Sequence, residues 1–159
     1  MPTDTNTGQS IYAGSPRSGL RNVGSYQVSG HPFITGSDNL DNNKVHMVQF
    51  PYVTKSVTVI NTSATRPIRV HLQSGSATAV TVPGDTGAQT IADTGDVIAN
   101  FNYITVQAGY SALTLDVKCK EVFISNGSGA SNLSYQVFAE LTYIPTSSMP
   151  HLTGSGITE

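Results

Sequence analysis

The sequence predicts an all-β protein, an antiparallel sandwich of eight to ten strands with a jelly-roll-like order, and three observations carry that prediction. First, apolar residues recur with a period of two, as a strand with one buried face requires: Ile68, Val70 and Leu72 alternate with Arg69, His71 and Gln73. Second, no segment shows a 3.6-residue apolar period with helix caps. Third, charged residues make up 11% of the chain, against about 25% in typical soluble domains. Outward strand faces must therefore be built from hydroxyls and amides rather than salt bridges.

Taken in order, residues 1–22 read as an arm. They hold Gly8, Gly14, Pro16 and Gly19 among small polar residues and too few apolar groups for a core of their own. Residues 23–145 read as the sandwich and 146–159 as a polar tail with Met149, Leu152 and Ile157. Within the sandwich, Gly24 to Thr35 predicts two short strands broken at Gly30, where His31-Pro32 forces extended backbone. Gly36 to Asn43 (GSDNLDNN) predicts a polar turn, and Val45 to Phe50 a strand stopped by Pro51. The clearest strand is Val53 to Asn61 (VTKSVTVIN), rich in β-branched residues.

Lys118 to Asn126 (KCKEVFISN) echoes that stretch in its order of lysine, apolar triplet, asparagine and turn. An echo of this kind fits two Greek keys. Ser74 to Asp96, with Gly75, Pro83, Gly84, Gly87 and Gly95, predicts mostly loop around a short strand at Val80 and Val82. Val97 to Gln107 is apolar on both parities, so it predicts either cover on both faces or a bulge. Leu113, Leu115, Val117 and Cys119 alternate with polar residues, and a bend near Glu121 then accounts for the run Val122, Phe123 and Ile124. Leu133 to Ile144 predicts the closing strand, with Phe138 interrupting its polar face.

Function classes follow by exclusion. The eight Lys and Arg are scattered and the net charge is −2, which gives no footprint for nucleic acid. The N-terminus has neither a basic nor an apolar leader segment, and no apolar run approaches the roughly 18 residues that span a bilayer. Neither secretion by a cleavable signal nor a membrane is expected. The single cysteine, Cys119, excludes an internal disulfide and reads as a small core residue.

The candidate chemical motifs read as structural. Asp85-Thr86-Gly87 and Asp93-Thr94-Gly95 spell the aspartic protease triplet, whose chemistry needs two carboxylates sharing a proton. Both fall in one Gly-rich stretch, so they read as Asx-type turns rather than two lobes of an active site. Asp38, Asn39, Asp41, Asn42 and Asn43 could offer oxygens to calcium but lack the EF-hand pattern, and read as a solvated turn. His31, His46, His71 and His151 show no metal or triad spacing and read as polar strand or loop residues. Asn61, Asn126 and Asn132 begin glycosylation sequons, read here as turns, and the seven tyrosines read mostly as core. No enzyme, cofactor or metal is expected.

Three segments carry a family resemblance: Asn22 to Thr35 (NVGSYQVSGHPFIT), Phe50 to Asn61 (FPYVTKSVTVIN) and ELTYIPTSSMPHLTGSG from Glu140. They resemble a family of small virion structural proteins of tailed marine bacteriophages, notably those of cyanobacteria, and the similarity runs from Gly24 onward. The resemblance implies a β-sandwich subunit that decorates or cements the capsid, binding the major capsid protein and its own copies. Such a subunit would sit on the capsid surface of the virion and be made in the host cytoplasm. Ile11, Tyr12 and Leu20 are then expected anchors of the arm, with Arg17 and Arg21 as its polar contacts and Met149 and Leu152 serving the tail. A homo-oligomer is expected, a trimer first because capsid lattices present local threefold positions, a dimer otherwise. The alternative is a tail, neck or fibre component touching host glycans through residues 74–96 and exposed tyrosines.

Overall fold

The computed structural model describes residues 31–42, 44–72, 103–126, 128–152 and 157, together with the backbone of 78–84 and 87–93. Ten strands follow one another: β1 (His31–Leu40), β2 (Val45–Gln49), β3 (Tyr52–Asn61), β4 (Ile68–His71), β5 (Thr78–Gly84), β6 (Gly87–Asp93), β7 (Ile104–Val106), β8 (Ala112–Leu115), β9 (Glu121–Ser125) and β10 (Leu133–Pro145). Among the described residues one 3-10 turn, Thr146–Ser148, follows β10. The strands pair antiparallel in two sheets, one of four in the order β1-β10-β3-β8 and one of six in the order β5-β6-β2-β9-β4-β7. The protein is an all-β antiparallel sandwich. The chain crosses between sheets at every connection except those from β4 to β7, where the β5-β6 hairpin extends the larger sheet.

Alternation dictates the core. Phe33 of β1, Val57 and Val59 of β3 and Tyr135, Val137 and Ala139 of β10 face Val48 of β2, Ile68 and Val70 of β4, Val106 of β7, and Val122 and Ile124 of β9. Each fully buried Val or Ile contributes roughly 1.5–3 kcal/mol relative to exposure, so this layer is the main source of stability.

Three expectations are corrected. The polar turn predicted at Gly36 to Asn43 is instead the second half of β1, which runs to Leu40. The glycine that suggested a turn serves strand pairing: a Cβ at Gly36 would lie 2.7 Å from the Tyr135 carbonyl oxygen. The loop predicted at 74–96 contains the β5-β6 hairpin, paired from Thr78↔Asp93 to Gly84↔Gly87. Its Pro83 is tolerated because β5 is an edge strand. Finally, β8 stops at Leu115, and residues 116–120 are the crossing to the other sheet, held by Phe50 N–H to Lys120 O and Thr54 N–H to Cys119 O, both 2.9 Å. The bend expected near Glu121 falls at Lys120.

The sequence echo acquires a structural meaning. Leaving out the β5-β6 hairpin, advancing each strand of the four-stranded sheet by four places in the cyclic order of the remaining eight turns β1-β10-β3-β8 into β7-β4-β9-β2, the core of the other sheet. This operation carries β3 onto β9, the two echoed stretches. Their terminal asparagines, Asn61 and Asn126, are both completely buried and do the same work. Asn61 Nδ2 donates to Arg66 O (2.8 Å), Gln107 O (3.0 Å) and Val106 O (3.1 Å), while its Oδ1 accepts from Ser63 N–H (2.9 Å). Asn126 Nδ2 donates to Leu40 O (3.0 Å) and Ala130 O (2.7 Å), and its Oδ1 accepts from Ser128 N–H (3.0 Å). Each asparagine seals a strand end by supplying partners that buried backbone groups need. The Asn-x-Ser pattern at both is a folding device.

Candidate interaction surface

The outer face of the four-stranded sheet is open. One cross-strand row runs Ile34↔Phe138↔Thr58↔Thr114, and the next runs Gly36↔Gln136↔Ile60↔Ala112. Ile34 is 67% and Phe138 37% exposed. Some of the polar groups among them are paired: Thr58 Oγ1 lies 2.9 Å from Thr114 Oγ1, and Glu140 Oε2 accepts from Ser56 Oγ at 3.3 Å and meets Lys55 Nζ at 3.2 Å, while the side chains of Asp38 and Gln136 on the same face are exposed. The register shift between Glu140 and Leu141, opposite Thr54–Ser56, is what lets Lys55 reach this face.

A second shift, between Leu141 and Pro145, reverses the parity of the end of β10. Strict alternation places Tyr143 in the core with Leu141, yet Thr142 is buried and Tyr143 is 57% exposed. Tyr143 meets the His31 ring edge-on at 4.6 Å, and His31 stacks on Tyr52 at 5.5 Å. Tyrosines were expected mostly in the core, but of the described five only Tyr135 lies there; Tyr52, Tyr110 and Tyr143 are exposed and Tyr103 is half-buried.

The outer face of the six-stranded sheet differs. Val45, His71, Glu121, Phe123 and Ser125 are all buried. Phe123 stacks on His71 at 5.7 Å, and the Arg69 guanidinium lies 4.4 Å from the centre of the Tyr103 ring. β9 is thus covered on both faces, which explains its unbroken apolar run.

The histidines divide accordingly. His46 and His71 are strand residues, as expected, and both are buried. His46 Nδ1 is hydrogen-bonded to the Tyr135 hydroxyl at 2.8 Å between the sheets. Burial lowers its pKa to about 4, partly opposed by the Asp41 carboxylate, and burial pushes the Tyr135 hydroxyl up. Cys119 belongs to the core, and burial raises its thiol pKa. Thr54, with no sequence signal to distinguish it, staples the crossing: Oγ1 lies 2.8 Å from Val117 O and accepts Cys119 N–H at 3.0 Å.

At one end of the sandwich a cleft of about 370 Å³ is lined by Gln49, Lys120, Glu121, Thr146, Ser147 and His151. His151 Nδ1 and Glu121 Oε1 are 2.5 Å apart, and Leu152 packs against the core, so the start of the tail is fastened to the body. Among the described residues no hydroxyl bonds the other His151 nitrogen, and no three metal-ligating side chains come together.

Of the expected contact residues, Met149 is half-buried after the 3-10 turn and Leu152 docks on the core. Ile11, Tyr12, Arg17, Leu20 and Arg21 lie outside the described residues. Asp38 and Asn39 belong to β1, and Asn42 Oδ1 accepts Gly129 N–H at 3.0 Å. Asp93, read as a turn residue, ends β6 opposite Thr78, while Asp85 lies outside the described residues. Phe138 was visible in the sequence as a break in a polar face; Ile34 was not, because the strand carrying it was read too short. No helix among the described residues is long and apolar enough to cross a membrane. Comparison with family models, curated proteins and solved structures returns no match to this chain.

Proposed function

We propose that this chain is a virion structural protein, a capsid decoration or cement subunit that binds the major capsid protein and stabilises a phage head. The observation that carries the reading is the open face of the four-stranded sheet, apolar at Ile34 and Phe138, where Thr58 pairs with Thr114 and Lys55 with Glu140. A surface of that kind suits docking in an assembly, since covering it strands few polar groups. The strand order supports a jelly roll, with β5-β6 as an insertion between its fourth and fifth strands. The family resemblance of the three quoted segments points the same way. In this reading the arm carries Ile11, Tyr12, Arg17, Leu20 and Arg21 to the capsid, and Met149 is the contact of the tail, since Leu152 is engaged by the core.

Deleting residues 2–21 and measuring binding to empty capsids tests the arm: binding is expected to fall sharply, and undiminished binding refutes its role. Immunogold labelling of intact virions is expected on the head. A tail, neck or fibre location is the second reading, favoured by the exposed rings of Tyr52 and Tyr143 about the half-buried His31, which can stack on sugars. Label on the tail together with glycan-array binding lost in Tyr143→Ala selects it.

A further inference from the structure

We infer that the groove at the Gly36 end of the four-stranded sheet is a binding site for a neutral sugar, seated among Asp38, Thr62, Ser134 and Gln136 with Phe138 beside it. The inference goes beyond the capsid reading and does not depend on it.

The two ends of the sheet's outer face use their polar groups differently. Toward Lys55 they bond one another, Thr58 with Thr114 and Glu140 with both Ser56 and Lys55. That half suits a protein partner. At the other end a groove of about 340 Å³ is lined by Gly36, Asp38, Thr62, Ser134 and Gln136. Among the described residues, none of these four polar side chains has a hydrogen-bonding or ionic partner. The backbone around them is nevertheless fixed: Thr62 N–H donates to Ser134 O at 3.1 Å, and Ser134 N–H to Ser63 Oγ at 2.9 Å.

Local geometry builds the groove. Gly36 pairs with Gln136, and a Cβ at Gly36 would lie 2.7 Å from Tyr135 O and 3.4 Å from Gln136 Cγ. The missing side chain thus gives the Gln136 side chain its room. The register between β1 and β10 then breaks between Ser37 and Leu40, and Asp38 stands at the break. Irregularities of this kind re-aim side chains beside functional sites.

The lining selects the ligand. It offers one carboxylate, one amide and two hydroxyls, so it both donates and accepts while carrying a single charge. An anion would be repelled by Asp38. A hard divalent cation takes about six to eight oxygen ligands, more than one carboxylate and three neutral side chains supply. A wholly apolar ligand would leave Asp38 and Gln136 without partners. Sugar hydroxyls can donate to Asp38 and exchange hydrogen bonds with Gln136, Thr62 and Ser134. The C–H face of a sugar needs an apolar wall, and Phe138, 37% exposed, follows Gln136 by one strand repeat of about 7 Å on the same face. The groove lies at the small end of ligand sites, with room for roughly one or two sugar rings, so affinity is roughly millimolar.

The test is a titration of the isotope-labelled full chain with glucose, galactose, mannose and N-acetylglucosamine, followed by amide chemical shifts. At least one sugar is expected to move the amides of residues 36–38, 62 and 134–138. Asp38→Asn, which keeps the side-chain shape, and Gln136→Ala should each weaken binding about tenfold, with thermal unfolding measured alongside. Ile104→Ala, on the far sheet, leaves binding unchanged. No response to any sugar up to about 100 mM, where a millimolar site is filled, overturns the inference. So do shifts confined to other regions, folded groove variants that bind like the wild type, and groove amides that answer calcium chloride but no sugar. Binding lost in Tyr143→Ala and kept in both groove variants also overturns it, by moving the sugar to the ring cluster. No capsid is present in this measurement, so its failure is distinct from a failure of capsid binding.

Discussion

The two sheets carry a similar aromatic residue on their outer faces and treat it oppositely. Phe123, at the centre of β9, is 3% exposed and stacked on His71, whereas Phe138, at the centre of β10, is 37% exposed beside Ile34. Both side chains point away from the layer between the sheets. β9 is thus enclosed on both faces, whereas β10 is exposed on its outer face. Apolar surface left open in this way marks interaction sites more often than isolated exposed side chains do.

The largest expected effect comes from collapsing that contrast on the enclosed side. Phe123→Ala should cost about 3–5 kcal/mol, because a large buried ring leaves a cavity. Urea denaturation monitored by circular dichroism measures it. A loss near that of a surface substitution would mean that the two faces do not differ.

Acid should act on the enclosed sheet next. His46 has a folded-state pKa of about 4, below its unfolded value of 6.5, so the unfolded chain binds more protons between those limits. Stability is therefore complete above pH 6.5 and is lost as pH falls toward 4, by about 3 kcal/mol in all. His46→Gln should remove that part of the pH dependence. A difference between wild type and variant that stays constant from pH 7 to 4 would rule out the assignment.

The paired asparagines sharpen the comparison from the opposite direction, because they join what the faces separate. Asn61→Ala and Asn126→Ala should each cost about 2–3 kcal/mol by leaving buried carbonyls unsatisfied. Equal losses in thermal unfolding support the relation between β3 and β9; a loss at one site alone dissolves it.

The smallest effect belongs to the open face. Phe138→Ala should change stability by about 1 kcal/mol or less. A loss like that of Phe123→Ala would show that this face is part of the fold's own core.

Much of the fold was legible because strand alternation is a local property. Ile68 to His71 and Leu133 to Leu141 show their inward faces in the sequence, and β3 was read to within a residue. The interaction surface was only half legible. Phe138 announced itself by breaking a polar face, but Tyr143 depends on a register shift between β10 and β3, and no local pattern encodes it. Gly36 misled for a related reason: a glycine that relieves contact with a neighbouring strand looks in sequence like one that makes a turn. The burial of His46 and His71 likewise depends on what lies across from them, Tyr135 and Phe123.

By itself, then, the sequence determined the class of the protein: a low-charge, β-branched chain whose period of two and repeated Asn-x-Ser turns lead to a double sheet. Only the tertiary structure decided which face of which sheet stays open. Alternation gives every strand two faces and says nothing about what covers the outer one; that depends on contacts between residues far apart in the chain. This is why Phe123 and Phe138 end with opposite exposures.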